Sequence, residues 1–148
     1  MAAQPLLKAE KISKAFPGVQ ALDQVSFDLE EGEVHALVGA NGAGKSTLIK
    51  ILAGVYPKDS GRIYLDGQEV DHYNPRQARV MGISYIPQEP VLVPQMNVAH
   101  NLLLGKEPTF KRLPFLIDNR ALQCQARAIL SELEIDCPQH VPISRLSP

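Results

Sequence analysis

An α/β fold, with a strand, a glycine-rich loop and a helix in direct succession, is what the sequence predicts, and three observations predict it. Val25, Phe27 and Leu29 alternate with Ser26, Asp28 and Glu30, the period of a strand with one buried face. Val34-His35-Ala36-Leu37-Val38 is a short β-prone run bounded by Gly39, suited to a central strand buried on both faces. Directly after it, Gly39-Ala40-Asn41-Gly42-Ala43-Gly44-Lys45-Ser46 leads into Leu48, Ile49, Ile51 and Leu52, which place apolar side chains on one side of a helix starting near Lys45.

The remaining elements follow in chain order. Glu31-Gly32-Glu33 turns the chain between the first two strands, and Gly54 is a C-terminal stop for the helix. Lys58-Asp59-Ser60-Gly61 reads as a turn and Arg62 to Leu65 as a strand. Asp66-Gly67 then makes a hairpin-type turn into Glu69-Val70. Pro75, Ala78 to Met81 and Gly82 read as a short helix with a glycine stop, followed by the apolar strand Ile83 to Ile86. Residues 98–104 suit a further short helix, and the segment from Gly105 to Leu116, with Pro108 and Pro114, reads as an irregular connection. Asp118 or Asn119 caps a last helix, whose Leu122, Ala126, Ile129, Leu130 and Leu133 fall at helical spacing. No internal repeat or low-complexity tract interrupts this order.

Composition narrows the function. The 148 residues carry 15 basic and 16 acidic side chains, with 45% hydrophobic and 21% charged, which suits one soluble domain or a piece of something larger. A net charge of −1, without a basic run or a Trp, argues against nucleic acid as the partner. The longest stretch free of Lys, Arg, Asp and Glu, Pro90 to Gly105, is broken by two prolines and several polar residues, short of the roughly 20 apolar residues of a membrane span. The start, MAAQPLLKAEK, lacks the apolar core of a secretory signal, so the chain is expected to face the cytosol. Cys124 and Cys137 are too few for a disulfide scaffold and read as structural thiols. His35, His72, His100 and His140 are scattered, so no metal site is expected from side chains alone.

The loop carries the chemistry. It satisfies G-x-x-x-x-G-K-[ST] in full, between an apolar strand and an apolar-faced helix. Glycines let successive backbone N–H groups converge on phosphate oxygens, and the helix adds its positive N-terminal end. Lys45 supplies a point charge to the β- and γ-phosphates, and Ser46 offers a hydroxyl to Mg²⁺, which prefers oxygen ligands. A lysine at a helix N-terminus opposes the macrodipole unless an anion sits there, which favours a ligand-binding role for Lys45 over a solvated one. The expected nucleotide-binding set is Gly39, Ala40, Asn41, Gly42, Ala43, Gly44, Lys45, Ser46 and Thr47, and the resemblance described below implies ATP as the nucleotide.

Two further segments stand in register with this loop. Lys14-Ala15-Phe16-Pro17-Gly18-Val19-Gln20-Ala21-Leu22 places one aromatic ring upstream, and Ser84-Tyr85-Ile86-Pro87-Gln88-Glu89 places a glutamine after a strand, forty-odd residues beyond Lys45. With these phrases the sequence resembles the ATP-binding subunits of ABC transporters, from about residue 6 to the end. The upstream phrase is similar to the family's adenine loop, with Phe16 at the position that stacks on the base. Stacking suits a flat π-face because it needs no particular hydrogen-bonding edge. The downstream phrase resembles the Q-loop, which implies that Gln88 contacts Mg²⁺ and the attacking water, acting with Lys45 in catalysis and linking the nucleotide site to the membrane subunits.

Ala15 to Leu22, Gly39 to Val55, Asn97 to Gly105 and Ile117-Asp118-Asn119-Arg120 are most similar to carbohydrate importers with tandem ATPase halves, of the ribose and galactose type. Pro87-Gln88-Glu89-Pro90 is somewhat similar to the related branch that imports autoinducer-2. The resemblance implies a P-loop NTPase fold of the ABC nucleotide-binding type, with an adenine-loop, P-loop and Q-loop core over residues 6–88 and a partial helical subdomain over 89–148. Leu146-Ser147-Pro148 resembles the first residues of the ABC signature. The rest of the signature, the Walker B strand with its carboxylates, the D-loop and the switch histidine are not in the sequence, so the chain is expected to be a front part of such a domain. Three expectations accompany this reading: weak ATP turnover at best, an unpaired apolar sheet edge, and no second ATPase half on the same chain. Implied partners are membrane permease subunits docking along Glu89 to Arg145, a second nucleotide-binding half arranged head to tail, and a solute-binding protein acting indirectly. The implied place is the cytoplasmic face of the inner membrane. A soluble, non-transport ABC-type ATPase and a catalytically inactive nucleotide-binding remnant are the alternative readings.

Overall fold

The computed structural model describes residues 4–89, 91–106, 111–113 and 116–146. They form two compact units, Met1–Ile86 and Pro87–Pro148.

The first unit is built on a four-stranded antiparallel sheet in the order β2-β1-β3-β4, with β1 Leu7–Phe16, β2 Val19–Leu29, β3 Ser60–Leu65 and β4 Gln68–Val70. Pro17 and Gly18 close the β1–β2 hairpin between paired Phe16 and Val19, and Gly18 takes the positive φ of 79° that a type II turn asks of its third residue. The β3–β4 turn has Asp66 at φ 48° and Gly67 at φ 74°, the two positive values of a type I′ hairpin, as the Asp-Gly pair predicts.

Strand β1 is absent from the sequence-based reading, and the structure shows why. Its buried positions are Leu7, Ala9, Ile12 and Lys14, so the period of two is broken by one extra residue. The break is a bulge at Lys11, whose φ is 49° and whose N–H, displaced from the ladder, donates to Ser26 Oγ at 3.1 Å. Gly61 of β3 passes so close to this bulge that a Cβ there would lie 2.5 Å from the Glu10 and Lys11 carbonyl oxygens.

Helix α1, Lys45–Leu52, covers one face of the sheet, packing Leu48, Ile51 and Leu52 with Leu7, Ala9, Ile12, Leu22 and Ile63. Each of these large side chains contributes about 1.5–3 kcal/mol on burial. The helix ends as predicted at Gly54, φ 71°, where Val55 N–H reaches the Lys50 carbonyl and Gly54 N–H reaches that of Ile51. Helix α2, Pro75–Val80, starts at Asn74 with a capping box closed by Gln77, and stops at Gly82. Tyr73 joins the two helices by donating its hydroxyl to the Leu52 carbonyl at 3.0 Å, and its partial burial raises the phenol pKa.

Two expected strands are not formed. Among the described residues, Val34 to Val38 and Ile83 to Ile86 belong to no ladder. Leu37 and Ile83 pack against the core and His35 meets the Phe27 ring edge to face, whereas Val34 is 98%, Val38 93% and Ile86 90% exposed. One side of each run is therefore covered and the other bare. The β-prone composition is real, but a central strand needs a hydrogen-bonding neighbour on each side, and no described segment supplies one.

The second unit packs helix α3, Val98–Leu102, against α4, Asn119–Glu132, through Ala99, Leu103, Leu122, Ala126 and Ile129. Asp118 caps α4 by accepting from Arg120 and Ala121 N–H at 3.0 and 3.1 Å. Asn101 accepts from Val93 N–H and donates to the carbonyls of Val93, Met96 and Asn97, which shapes the loop before α3. The segment expected to be irregular contains a small antiparallel pair, β5 Lys111–Leu113 and β6 Leu116–Ile117. Pro108, Pro114, Ser147 and Pro148 lie outside the described residues. So does Pro90.

Candidate nucleotide-binding site

The glycine-rich loop runs from Gly39 to Gly44, and α1 begins at Lys45. Gly42 and Gly44 hold φ values of 83° and 86°, the left-handed region that L side chains rarely enter, and Ala43 N–H closes a turn on the Ala40 carbonyl at 3.3 Å. Gly44 has a second constraint. A Cβ there would stand 2.4 Å from the Ala21 carbonyl oxygen and 2.7 Å from Leu22 Cδ2, so the loop lies directly against β2.

This placement leaves the helix start open. The first intrahelical bond runs from Leu48 N–H to the Gly44 carbonyl at 2.9 Å, so the N–H groups of Lys45, Ser46 and Thr47 have no acceptor within the helix. No side chain caps this end and no acidic residue lies in the first turn. Lys45 Nζ folds back across the loop and donates to the Gly39 and Ala40 carbonyls, both at 2.7 Å. An ammonium has three donors, so one is left over. Ser46 is exposed, and its hydroxyl makes no hydrogen bond to another described residue. Three free N–H groups, a cation and a hydroxyl thus converge at the positive end of a helix, an arrangement that holds a polyphosphate.

Phe16 ends β1. Lys14, two residues back and so about 7 Å along the strand, pairs across the hairpin with Leu22, the residue that touches Gly44. The half-buried Phe16 ring therefore stands on the same hairpin as the residue that touches Gly44, a short way further along it. It meets Tyr56 edge to face, centroids 5.4 Å apart at 72°, and Lys14 Nζ lies 5.6 Å from its centroid. Gln88 is exposed at the start of the second unit.

Lys14, Tyr56 and Asp59 escape sequence reasoning. Asp59 accepts from Lys14 Nζ at 2.6 Å and from Ala15 N–H at 2.7 Å, and these two donors, the lysine foremost, hold its carboxyl below the usual carboxylate range. Locally Asp59 reads as a turn residue, and its partners stand some 45 positions upstream, beyond any periodicity. The available signal is Lys14 itself, a charge at an inward position of an apolar strand face.

Comparison with known proteins agrees with this geometry. The ABC transporter family matches residues 22–148. A Burkholderia cenocepacia protein named for ribose/galactose/methyl galactoside import, as ATP-binding protein 2, is 48% identical over 97% of this chain and 28% of its own length. The ribose import ATP-binding protein RbsA of Rhodopirellula baltica is 48% identical over 95% of this chain and 27% of its own. The chain thus spans little more than a quarter of the length of these relatives. A nucleotide-free ATP-binding cassette from an ABC transporter superposes with a TM-score of 0.77 at 29% identity, over 97% of this chain and 60% of that one. A cassette in its ADP conformation gives 0.76 at 28% identity, over 98% and 60%. Together with the glycine-rich loop, the open helix start and the antiparallel sheet, these matches show that the chain belongs to the ABC transporter family, as part of an ATP-binding cassette.

Proposed function

We propose that the chain binds ATP with Mg²⁺ as the ATP-binding component of an ABC transporter, coupling ATP binding and hydrolysis to import of a sugar or sugar-like solute. The observation that carries the binding step is the start of α1, where Gly44 is locked against β2, three N–H groups are free and Lys45 lies across the loop mouth. The backbone of Gly39 to Thr47 would bind the phosphates. Lys45 would exchange its two carbonyl partners for β- and γ-phosphate oxygens, a stronger, charge-assisted pairing. Phe16 would stack on the adenine. The exposed Ser46 hydroxyl fits Mg²⁺, which takes one or two protein oxygens and completes its shell with phosphates and water. Gln88 is proposed as a second contact to the ion and as the residue that orients the attacking water. When bound, Mg²⁺ neutralises charge developing on the transferred phosphoryl group.

The relatives' names support sugar import as the coupled process. Membrane permease subunits would dock along Glu89 to Arg145, a second nucleotide-binding half would complete the site head to tail, and a solute-binding protein would act through the permease. Among the described residues no helix is long and apolar enough to cross a membrane, which fits peripheral attachment at the cytoplasmic face of the inner membrane. On this reading residues 6–88 form the nucleotide core and 89–148 belong to the helical subdomain. Calorimetric titration with MgATP tests the binding step. Lys45→Ala should weaken affinity at least about tenfold, by removing a hydrogen bond to a charged group. Equal affinities for the two chains would overturn the assignment.

A further inference from the structure

We propose that Asp59 and Tyr56 are positioning residues that hold the Phe16 ring for base stacking, so that affinity for a purine nucleotide over bare triphosphate depends on them. This rests on the reading that Phe16 stacks on the base.

Phe16 stands at the end of a strand, before a two-residue turn, where ladder hydrogen bonds run out and an aromatic ring is free to change rotamer. Pairing of β1 with β3 stops at Ser13 and Ser60. Beyond that point Asp59 takes over the ladder. Its N–H donates to the Ser13 carbonyl at 3.0 Å, and its carboxylate accepts from Ala15 N–H at 2.7 Å, where the next strand carbonyl would have stood. Its other oxygen accepts from Lys14 Nζ at 2.6 Å. Both residues before Phe16 are thus gripped by one side chain.

The ring itself is held from two sides. Lys14 is 9% exposed, a burial that lysine tolerates only when paired, and the Asp59 bond keeps its ammonium within cation–π range of Phe16. Tyr56 meets the ring edge to face, and Lys50 Nζ lies 5.4 Å from the Tyr56 centroid in turn. Tyr56 follows the C-terminal stop of α1, the helix whose other end forms the phosphate site. One short rigid element therefore sets both the phosphate site and the base platform, which places base and phosphate subsites at a defined separation. Tyr56 makes no hydrogen bond through its hydroxyl among the described residues, so the proposal needs only its ring.

The experiment titrates the full chain with ATP and with inorganic tripolyphosphate, each with Mg²⁺, and compares Phe16→Ala, Asp59→Ala, Tyr56→Ala, Tyr56→Phe and the Phe16→Ala/Tyr56→Ala double variant. Phe16→Ala should weaken ATP about tenfold, the scale of one base–aromatic stack, and leave tripolyphosphate unchanged. Asp59→Ala and Tyr56→Ala should weaken ATP by about threefold or more with tripolyphosphate again unchanged, Tyr56→Phe should behave as the parent, and the double variant should be no weaker than Phe16→Ala. Equal losses for ATP and tripolyphosphate in Asp59→Ala and Tyr56→Ala would overturn the proposal in favour of general destabilisation. Unchanged ATP affinity in both, with Phe16→Ala weakened, would overturn it and leave base stacking standing. If Phe16→Ala itself leaves the ATP-to-tripolyphosphate ratio unchanged, base stacking and this proposal fall together. Should Asp59→Ala not fold, the Tyr56 pair and the double variant decide alone.

Discussion

A methyl group at Gly44 would need space held by the Ala21 carbonyl oxygen, 2.4 Å away, and by Leu22 Cδ2, on a backbone with φ at 86°. Neither neighbour is the end of a flexible chain, because Ala21 is strand backbone and Leu22 is core. Gly44→Ala should therefore cost about 2 kcal/mol or more in urea denaturation and weaken MgATP in the same preparation, since the loop must leave β2 to admit the side chain. Gly42 has a similar φ of 83° but open space around it, so Gly42→Ala should cost only about 1–2 kcal/mol of backbone strain. The loop was legible in the sequence because its chemistry is contiguous: the glycines, Lys45 and Ser46 must follow one another for their N–H groups, cation and hydroxyl to converge. The demand that Gly44 be glycine for packing against Ala21 was not legible, because that contact joins segments more than twenty residues apart.

At the level of elements, legibility depended on whether an element carries its own signal. Helices α1, α2 and α4 announce themselves by local starts and stops: Pro75, Asp118, Gly54 and Gly82 all act within a few residues of the chain, while the Asn74–Gln77 capping box before Pro75 emerges only in the structure. Strand β1 does not, since the bulge at Lys11 breaks its alternation and its sheet neighbour β3 stands some fifty residues on. Asp59 is the joint that closes this gap, and its protonation should report on it. Its carboxyl is held below the ordinary value by Lys14 and by Ala15 N–H, so the unfolded chain binds the proton more readily than the folded one. The resulting stability is fully present above the ordinary carboxylate value near 4 and is lost as pH falls through the lower folded value. The urea midpoint of Asp59→Ala should accordingly lie below that of the parent at about pH 7, and the difference should shrink at about pH 3. A pH-independent difference would mean that Asp59 acts by packing rather than by its charge.

At the scale of the molecule, the three most exposed large apolar residues among those described, Val34, Val38 and Ile86, stand where β-prone sequence has no ladder. Val34 and Val38 alternate with His35 and Leu37, which face the sheet, and Ile86 ends a second run of the same kind. The core of the first unit is closed without them: α1 covers Leu7, Ala9, Ile12, Leu22 and Ile63, and the bare valines contribute nothing to that packing. Composition could show that 34–38 prefers extended backbone, but strand formation is a property of pairs, and the partner's absence from the described residues is invisible in the run itself. An extended, apolar, unpaired segment is a template for association with another chain. Light scattering should therefore show apparent mass rising with protein concentration, and Val34→Lys with Ile86→Lys should suppress the rise. Because neither side chain touches the glycine-rich loop, Lys45 or Phe16, MgATP affinity of the double variant measured at low concentration should stay at the parent value. Loss of affinity together with loss of association would instead place these two segments in the support of the nucleotide site.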